Sequence, residues 1–401
     1  MTTRSSSCAA ALCLVLAAPL VTAQTPPRDL VAEGRQIFRF DTFGDEQLWT
    51  DTLQMHTAIA KVPPATALGV GLKVDADALP ADIVSALKAN AVKLDDPAVT
   101  LLLLQLNAVV GVKGTVENGA LTTIGITCAL CHSTVDDSVI KGVGRRLDGW
   151  PNRDLNVGAI VALSPVLTSA QRAVFNSWGP GKYDPRLQAF DGTQFIALNR
   201  SSFPIVIPPA YGLRRVGFET FTADGPISYW NSYVGVSQMG GHGSFSDSRI
   251  NLSIVQTPDL VTPKLPALRE YQFSLDAPAP PRGSYDQGAA GRGRALFVTT
   301  ARCANCHRTP DFTDVVQGQS PSQTPRLHSP SETGMEPVYA SRSATGAYRT
   351  TPLRGIWQHP PYFHDGSAKD LAAVVTHYNR VLSLGLTSAQ QADLVEYLKS
   401  L

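Results

Sequence analysis

The sequence predicts a mainly α-helical chain of two similar helical domains with a loop-rich segment between them. Three observations predict it. The pattern Cys-x-x-Cys-His occurs twice, at Cys128, Cys131, His132 and at Cys303, Cys306, His307. A helical stretch reading Gly-Arg-x-apolar-Phe precedes each copy, in EGRQIFRF (Glu33 to Phe40) and RGRALFVT (Arg292 to Thr299). A near-identical heptapeptide follows each, LTSAQRA (Leu167 to Ala173) and LTSAQQA (Leu386 to Ala392).

The first element is a leader. MTTRSSSCAAALCLVLAAPLVTAQ has a basic start at Arg4, an apolar middle from Cys8 to Val21 and the small-residue site Val21-Thr22-Ala23. The apolar run is too short for a membrane anchor. Residues 1–23 are therefore expected to be a signal peptide, cleaved on export. Lys+Arg minus Asp+Glu is 34 − 33 = +1, so no strong field draws in nucleic acid or an anionic membrane.

The opening helix comes next, followed by a long insertion, Asp41 to Gly125. Within it, DEQLWTDTLQMHTAIAK and LPADIVSALKANAV read as helices, and VTLLLLQLNAVVGV (Val99 to Val112) as a buried core helix. After the first Cys-x-x-Cys-His motif, Thr168 and Gln171 form a capping box that starts a closing helix. Thr387 and Gln390 repeat it at the C-terminus, where Ala392, Leu394, Val395 and Leu398 share one face. Between the copies, Gly179 to Leu275 is rich in Gly, Pro, Ser and aromatics and predicts loops and short strands. DAPAPPRGSY (Asp276 to Tyr285) is a Pro-rich linker. The second copy carries its insertion after its motif, including the mobile-looking QGQSPSQTPRLHSPSETG.

With the leader removed, all four remaining cysteines belong to the two motifs. Cys-x-x-Cys-His is the attachment pattern of c-type haem. Two thiols add to the haem vinyl groups, and the adjacent His binds the iron. A thioredoxin-like pair or a four-Cys zinc site leaves the two histidines unexplained. The cofactors expected are two covalently bound haem c groups, with His132 and His307 on the irons. The fold class is then mainly α, with two cytochrome c-like helical haem domains and a loop-rich intervening segment. Residues 24–178 are the first domain with its helical insertion, 179–285 the distal-pocket segment and linker, and 286–401 the second domain.

TPLRGIWQHPPYFHDGSAKDLAAVVTHYN (Thr351 to Asn379) resembles the C-terminal haem domain of bacterial dihaem cytochrome c peroxidases. Their relatives include the enzyme that matures methylamine dehydrogenase and the dihaem rubber oxygenases. The resemblance implies that Arg354 lies near haem propionates and His364 near the haem–haem interface. It puts the second iron's sixth ligand at Tyr378, with neighbouring His377 as the alternative. Tyr or His there, in place of the peroxidases' Met, implies a lower potential.

Over the first iron the candidates are His56, Met55, Met239 and His242. SYWNSYVGVSQMGGHGSF (Ser228 to Phe245) reads as the roof of that haem. A haem face needs flat apolar cover, a close backbone and at most one polar group. In this reading His242 or Met239 sits near the iron, Phe245 is an apolar lid, and Trp230 relays electrons toward the second haem. Likeness to the rubber oxygenases implies the Trp and Phe roles. The function expected is an exported peroxidase-like oxidoreductase, with peroxide or dioxygen chemistry at the first haem and electron transfer through the second. The alternatives are an oxygenase of an organic substrate and a plain electron-transfer cytochrome. The electron partner expected is a small redox protein or a quinol-linked cytochrome, in the periplasm or outside the cell, with no nucleic acid and no membrane span after cleavage.

Overall fold

A computed structural model describes residues 29–316 and 326–401. The leader, and the part of QGQSPSQTPRLHSPSETG from 317 to 325, lie outside the described residues. The chain is mainly helical, with short strands that pair only in two-stranded sheets among the described residues. No described helix is long and apolar enough to cross a membrane.

Asp29 caps the opening helix Leu30–Phe40, accepting from the Val31 and Ala32 amides. This helix crosses Leu265–Ser274 at Gly34, where a Cβ would lie 2.0 Å from the Ala267 carbonyl oxygen and 2.7 Å from Tyr271 Cβ. The second half repeats the crossing. Gln287–Val298 meets Ser388–Lys399 at Gly293, where a Cβ would lie 2.0 Å from the Asp393 carbonyl oxygen and 2.9 Å from Tyr397 Cβ. A third helix packs on each pair: Ile227–Tyr233 on Leu265–Ser274, and Leu371–Val381 on Ser388–Lys399. Before each third helix the chain folds back on itself, through bridges Glu219 to Gly225 and Tyr362 to Ala368.

The closing helix of the first half is therefore Leu265–Ser274, not the helix begun by LTSAQRA. Both capping boxes form as expected, at Thr168/Gln171 and Thr387/Gln390. The Ser169–Asn176 helix, however, packs on Val157–Val161. A capping box is a local start signal and says nothing about the packing partner. The crossing is specified instead by LREYQFSL (268–275) and LVEYLKSL (394–401), which share Leu, Glu, Tyr, Ser and Leu. In each, the Tyr lies over the glycine of the opening helix.

The insertion is more broken than its periodicity suggests. DEQLWTDTLQMHTAIAK divides into a π-helical turn, Gln47–Thr52, and a short helix, Met55–Ile59, around Gln54 at φ +53°. The apolar helix stops at Gln105 (Pro97–Gln105), and Asn107 turns left-handed at φ +52°. Val112 then begins a hairpin, Val112–Glu117 with Ala120–Ile126, turning at Asn118 and Gly119. Apolar runs of this length suit either helix or strand, and the β-branched end took the strand.

Candidate functional site

Both Cys-x-x-Cys-His motifs line one continuous cavity of about 550 Å³. Cys128 begins the short helix Ala129–His132, and Cys303 begins the 3-10 turn Cys303–Asn305. All four thiols are free of disulfides. Burial pushes Cys128 and Cys131 up to about 12, the opposite of what a redox dithiol needs.

The two histidines are held alike. His132 Nδ1 donates to the Pro208 carbonyl at 3.1 Å, and His307 Nδ1 donates to the Phe312 carbonyl at 2.9 Å. A proton fixed on Nδ1 keeps the Nε2 lone pair for a metal. Burial holds His132 down at about 4, so its imidazole is neutral, and lowers His307 in the same direction. Asp148 braces the first motif. It accepts from Ser133 Oγ at 2.7 Å, from Arg39 of the opening helix at 2.5 Å and from the Tyr271 hydroxyl of the closing helix.

Trp230, Asn231, Val234, Gly235, Gln238 and Met239 face the cavity as one helical stripe. The stripe runs through Ile227–Tyr233 into the π-helical turn Val234–Gln238. Trp230 and Met239 share a core with Ala129, against which Cys128 packs. Trp230 is 5% exposed and donates from Nε1 to the Glu219 carbonyl at 3.1 Å. Trp49 anchors the end of the stripe, donating to the Met239 carbonyl at 2.9 Å.

The other half of the expected roof lies elsewhere. His242 is not on the cavity wall; its Nδ1 donates to the Pro258 carbonyl at 2.7 Å. Phe245 is also off the wall, edge-on to Tyr229 and Tyr233 at 5.3 and 5.2 Å between ring centroids. The glycines bring protein against protein rather than protein against cofactor. A Cβ on Gly240 would meet Leu48 Cβ at 2.5 Å, and one on Gly241 the Gly235 carbonyl at 2.7 Å. Met55 is buried in the core and His56 is partly buried; neither lines the cavity.

At the second motif, Tyr378 lines the cavity while His377 does not. Burial and the nearby Cys303 and Cys306 push the Tyr378 hydroxyl up to about 12. His377 instead uses Nε2 to donate to the Thr333 carbonyl at 2.9 Å, its ring 4.8 Å from that of Phe363. Arg354 is on the wall but exposed, donating to the Pro310 carbonyl at 2.7 Å. His364 is 2% exposed, 3.0 Å from the Tyr348 hydroxyl and 3.6 Å from the Glu336 carboxylate. Its carbonyl accepts from Val206 of the middle segment, so it lies where the second half meets the first.

Among the charged wall residues that sequence reasoning missed, two stand out. Arg153 is partly buried, and its buried Nε and Nη1 have no partner. No described carboxylate pairs with it, and burial lowers it to about 10. Its Nη2 lies 3.5 Å from His359 Nδ1, across from the second half. An unpaired buried guanidinium is costly unless an anion joins it. Haem propionates are such anions, and with four free thiols and two Nδ1-fixed histidines the cavity fits c-type haem. Glu219 is the other. Burial raises it to about 7 despite Arg349 at 3.2 Å.

These features define a c-type cytochrome. Residues 290–401 match the Cytochrome c family model. The chain is 30% identical over 159 residues to the methylamine utilization protein MauG of Methylorubrum extorquens, covering 35% of this chain and 43% of that one. It is 28% identical over 173 residues to cytochrome-c peroxidase IdrP2 of a Pseudomonas species, covering 34% and 47%. The chain thus spans under half the length of the curated relatives it matches. A solved MauG-like protein associated with microbial copper homeostasis is 17% identical, with a TM-score of 0.37 over 55% of this chain and 85% of that one. Residues 290–401 are thus a cytochrome c domain, and the chain is similar to members of the dihaem cytochrome c peroxidase superfamily over about a third of its length.

Proposed function

We propose that the chain is an exported, peroxidase-like oxidoreductase carrying two covalent haem c groups. The first site is open to a small oxidant, and the second passes electrons. One observation supports this most. Tyr378 is the eighth residue counted from the start of its helix, and Val234 is the eighth counted from the start of the matching helix. Both line the cavity, but only Tyr378 has a donor atom.

Haem c bound here supplies one-electron redox chemistry and, where its iron lacks a second protein ligand, a binding position for peroxide or dioxygen. The chain's own residues do the rest. His132 would offer its Nε2 to the iron, and Val234 and Trp230 give the cavity wall around it apolar surface. Glu219, half-ionised near neutral pH, holds or moves a proton at its carboxylate. Arg153 and Arg354 would receive propionates. Cys303, Cys306 and His307 would hold the group that takes electrons from a small redox protein or a quinol-linked cytochrome.

Met239 supports a second reading, because it lines the cavity and could supply a thioether ligand to the first iron, leaving an electron carrier. The test is hydrogen-peroxide turnover with a reduced small cytochrome. Steady oxidation of that cytochrome is expected. Oxygen uptake on organic substrates with no peroxide turnover would favour the oxygenase. Inertness to peroxide, oxygen and cyanide would favour the carrier.

A further inference from the structure

A second cavity of about 550 Å³ lies between the insertion and the helix Val157–Val161. Its walls come from the helices Pro64–Gly69, Ala81–Lys88 and Pro97–Gln105, the Val112–Glu117/Ala120–Ile126 hairpin and the helix Val157–Val161. Only Thr66, Asp82, Thr100 and Asn176 of the lining are polar. Thr66, Asp82 and Asn176 are exposed, so they mark the rim. Thr100 is buried, and its hydroxyl is spent on the Val62 carbonyl at 2.6 Å. No described Lys, Arg or His lines the space.

Water cannot fill such a space well, since a buried water needs two to four polar partners. Leaving it empty would forfeit the dispersion contacts of every wall residue. Its volume falls in the range of small-molecule sites, roughly 300–1,000 Å³. An apolar lip leads outward: Leu102 is 41% exposed and Leu163 46%, and both are lining residues. The cavity also abuts the first motif. Trp49, Ile126, Leu130 and Val157 line both cavities, and Leu130 sits between Cys128 and Cys131.

We propose that the insertion cavity binds one uncharged hydrocarbon chain, held one residue layer from the first Cys-x-x-Cys-His motif. The absence of a cationic lining residue selects against carboxylates. The apolar lip selects for a ligand that enters along its length. The cavity also explains why Pro97–Gln105 is apolar on every side: one face meets the core, and Leu102, Leu103 and Leu104 all reach the lining.

The test is equilibrium dialysis of the purified holoprotein against tritiated 1-decanol, with decanoate as competitor. Saturable binding of one decanol per chain is expected, with decanoate at least tenfold weaker. Ala86→Trp and Ala67→Phe each fill the space. At least one of them, with wild-type circular dichroism and haem content, should weaken decanol binding tenfold or more. No saturable binding by the wild type, unchanged binding in both filled variants, or decanoate binding as tightly as decanol would overturn the proposal. The readout needs no turnover, so it stands or falls separately from the peroxidase reading.

Discussion

Val234 and Tyr378 occupy similar places in the two halves, each the eighth residue counted from the start of the helix that packs on its closing helix, Val234 just past that helix's end and Tyr378 within it, and each on the cavity wall. One is an aliphatic side chain and the other a phenol. Converting one into the other should therefore move ligand binding between the sites. Val234→Met should abolish cyanide binding at the first haem and make the ferric protein fully low-spin. Tyr378→Phe should add a second cyanide site. Titration followed at the Soret band checks both, and His377→Ala should leave the count unchanged.

Gly34 and Gly293 should be the least replaceable glycines of the helix pairs. A methyl at either would sit 2.0 Å from a carbonyl oxygen of the crossing helix. Overpacking of a fixed backbone costs about 1–3 kcal/mol or more, so Gly34→Ala and Gly293→Ala should each lower the thermal midpoint by several degrees. Gly69→Ala is the control, since a Cβ there meets nothing within 4 Å. It should leave the midpoint unchanged or raise it slightly.

Glu219 sets a pH dependence. Burial raises its folded-state value from 4.5 to about 7. The folded chain therefore holds this proton more tightly than the unfolded chain does. The associated stability is full below about 4.5 and is lost as pH rises through about 7, amounting to roughly 3 kcal/mol. Glu219→Gln should flatten that part of the stability–pH curve, measured by urea unfolding. In the peroxidase reading it should also remove an inflection near pH 7 from peroxide turnover.

Arg153 should tune a potential. A buried positive charge favours the reduced iron, and its loss is worth on the order of 1 kcal/mol, or about 40 mV for one electron, at an effective dielectric near 20. Arg153→Met should lower the reduction potential of at least one haem in a spectroelectrochemical titration. A null result with haem content intact would remove Arg153 from the propionate site.

What the sequence revealed and what it hid follow from the range of each signal. Cys-x-x-Cys-His is a contiguous pattern, and all six of its residues reached one cavity. Tyr378 reaches the cavity wall and His377 does not, because the two lie next to each other on an uninterrupted helix and so face different ways. The LTSAQ heptapeptides misled because a capping box is local, while the pairing of Gly34 with Tyr271 spans the first half of the chain. The LREYQFSL and LVEYLKSL match carried that pairing but was diluted by three mismatches. His242 looked like a ligand because its flanking glycines suit a cofactor as well as they suit close packing on Leu48 and Phe43. Val234 was invisible as a site residue, since an aliphatic side chain announces nothing until its counterpart Tyr378 is placed. Arg153 and Glu219 stand in no motif, and only burial without a matching charge, or beside one, singles them out.

The central claim is that the chain holds two haems of which one is open. The most direct measurement is a cyanide titration of the as-isolated ferric protein, with covalent haem counted by mass under denaturing conditions and spin state read by electron paramagnetic resonance. The account predicts two haems per chain, one high-spin and one low-spin signal, and one cyanide bound. A single haem, or two low-spin haems that bind no cyanide, would contradict it.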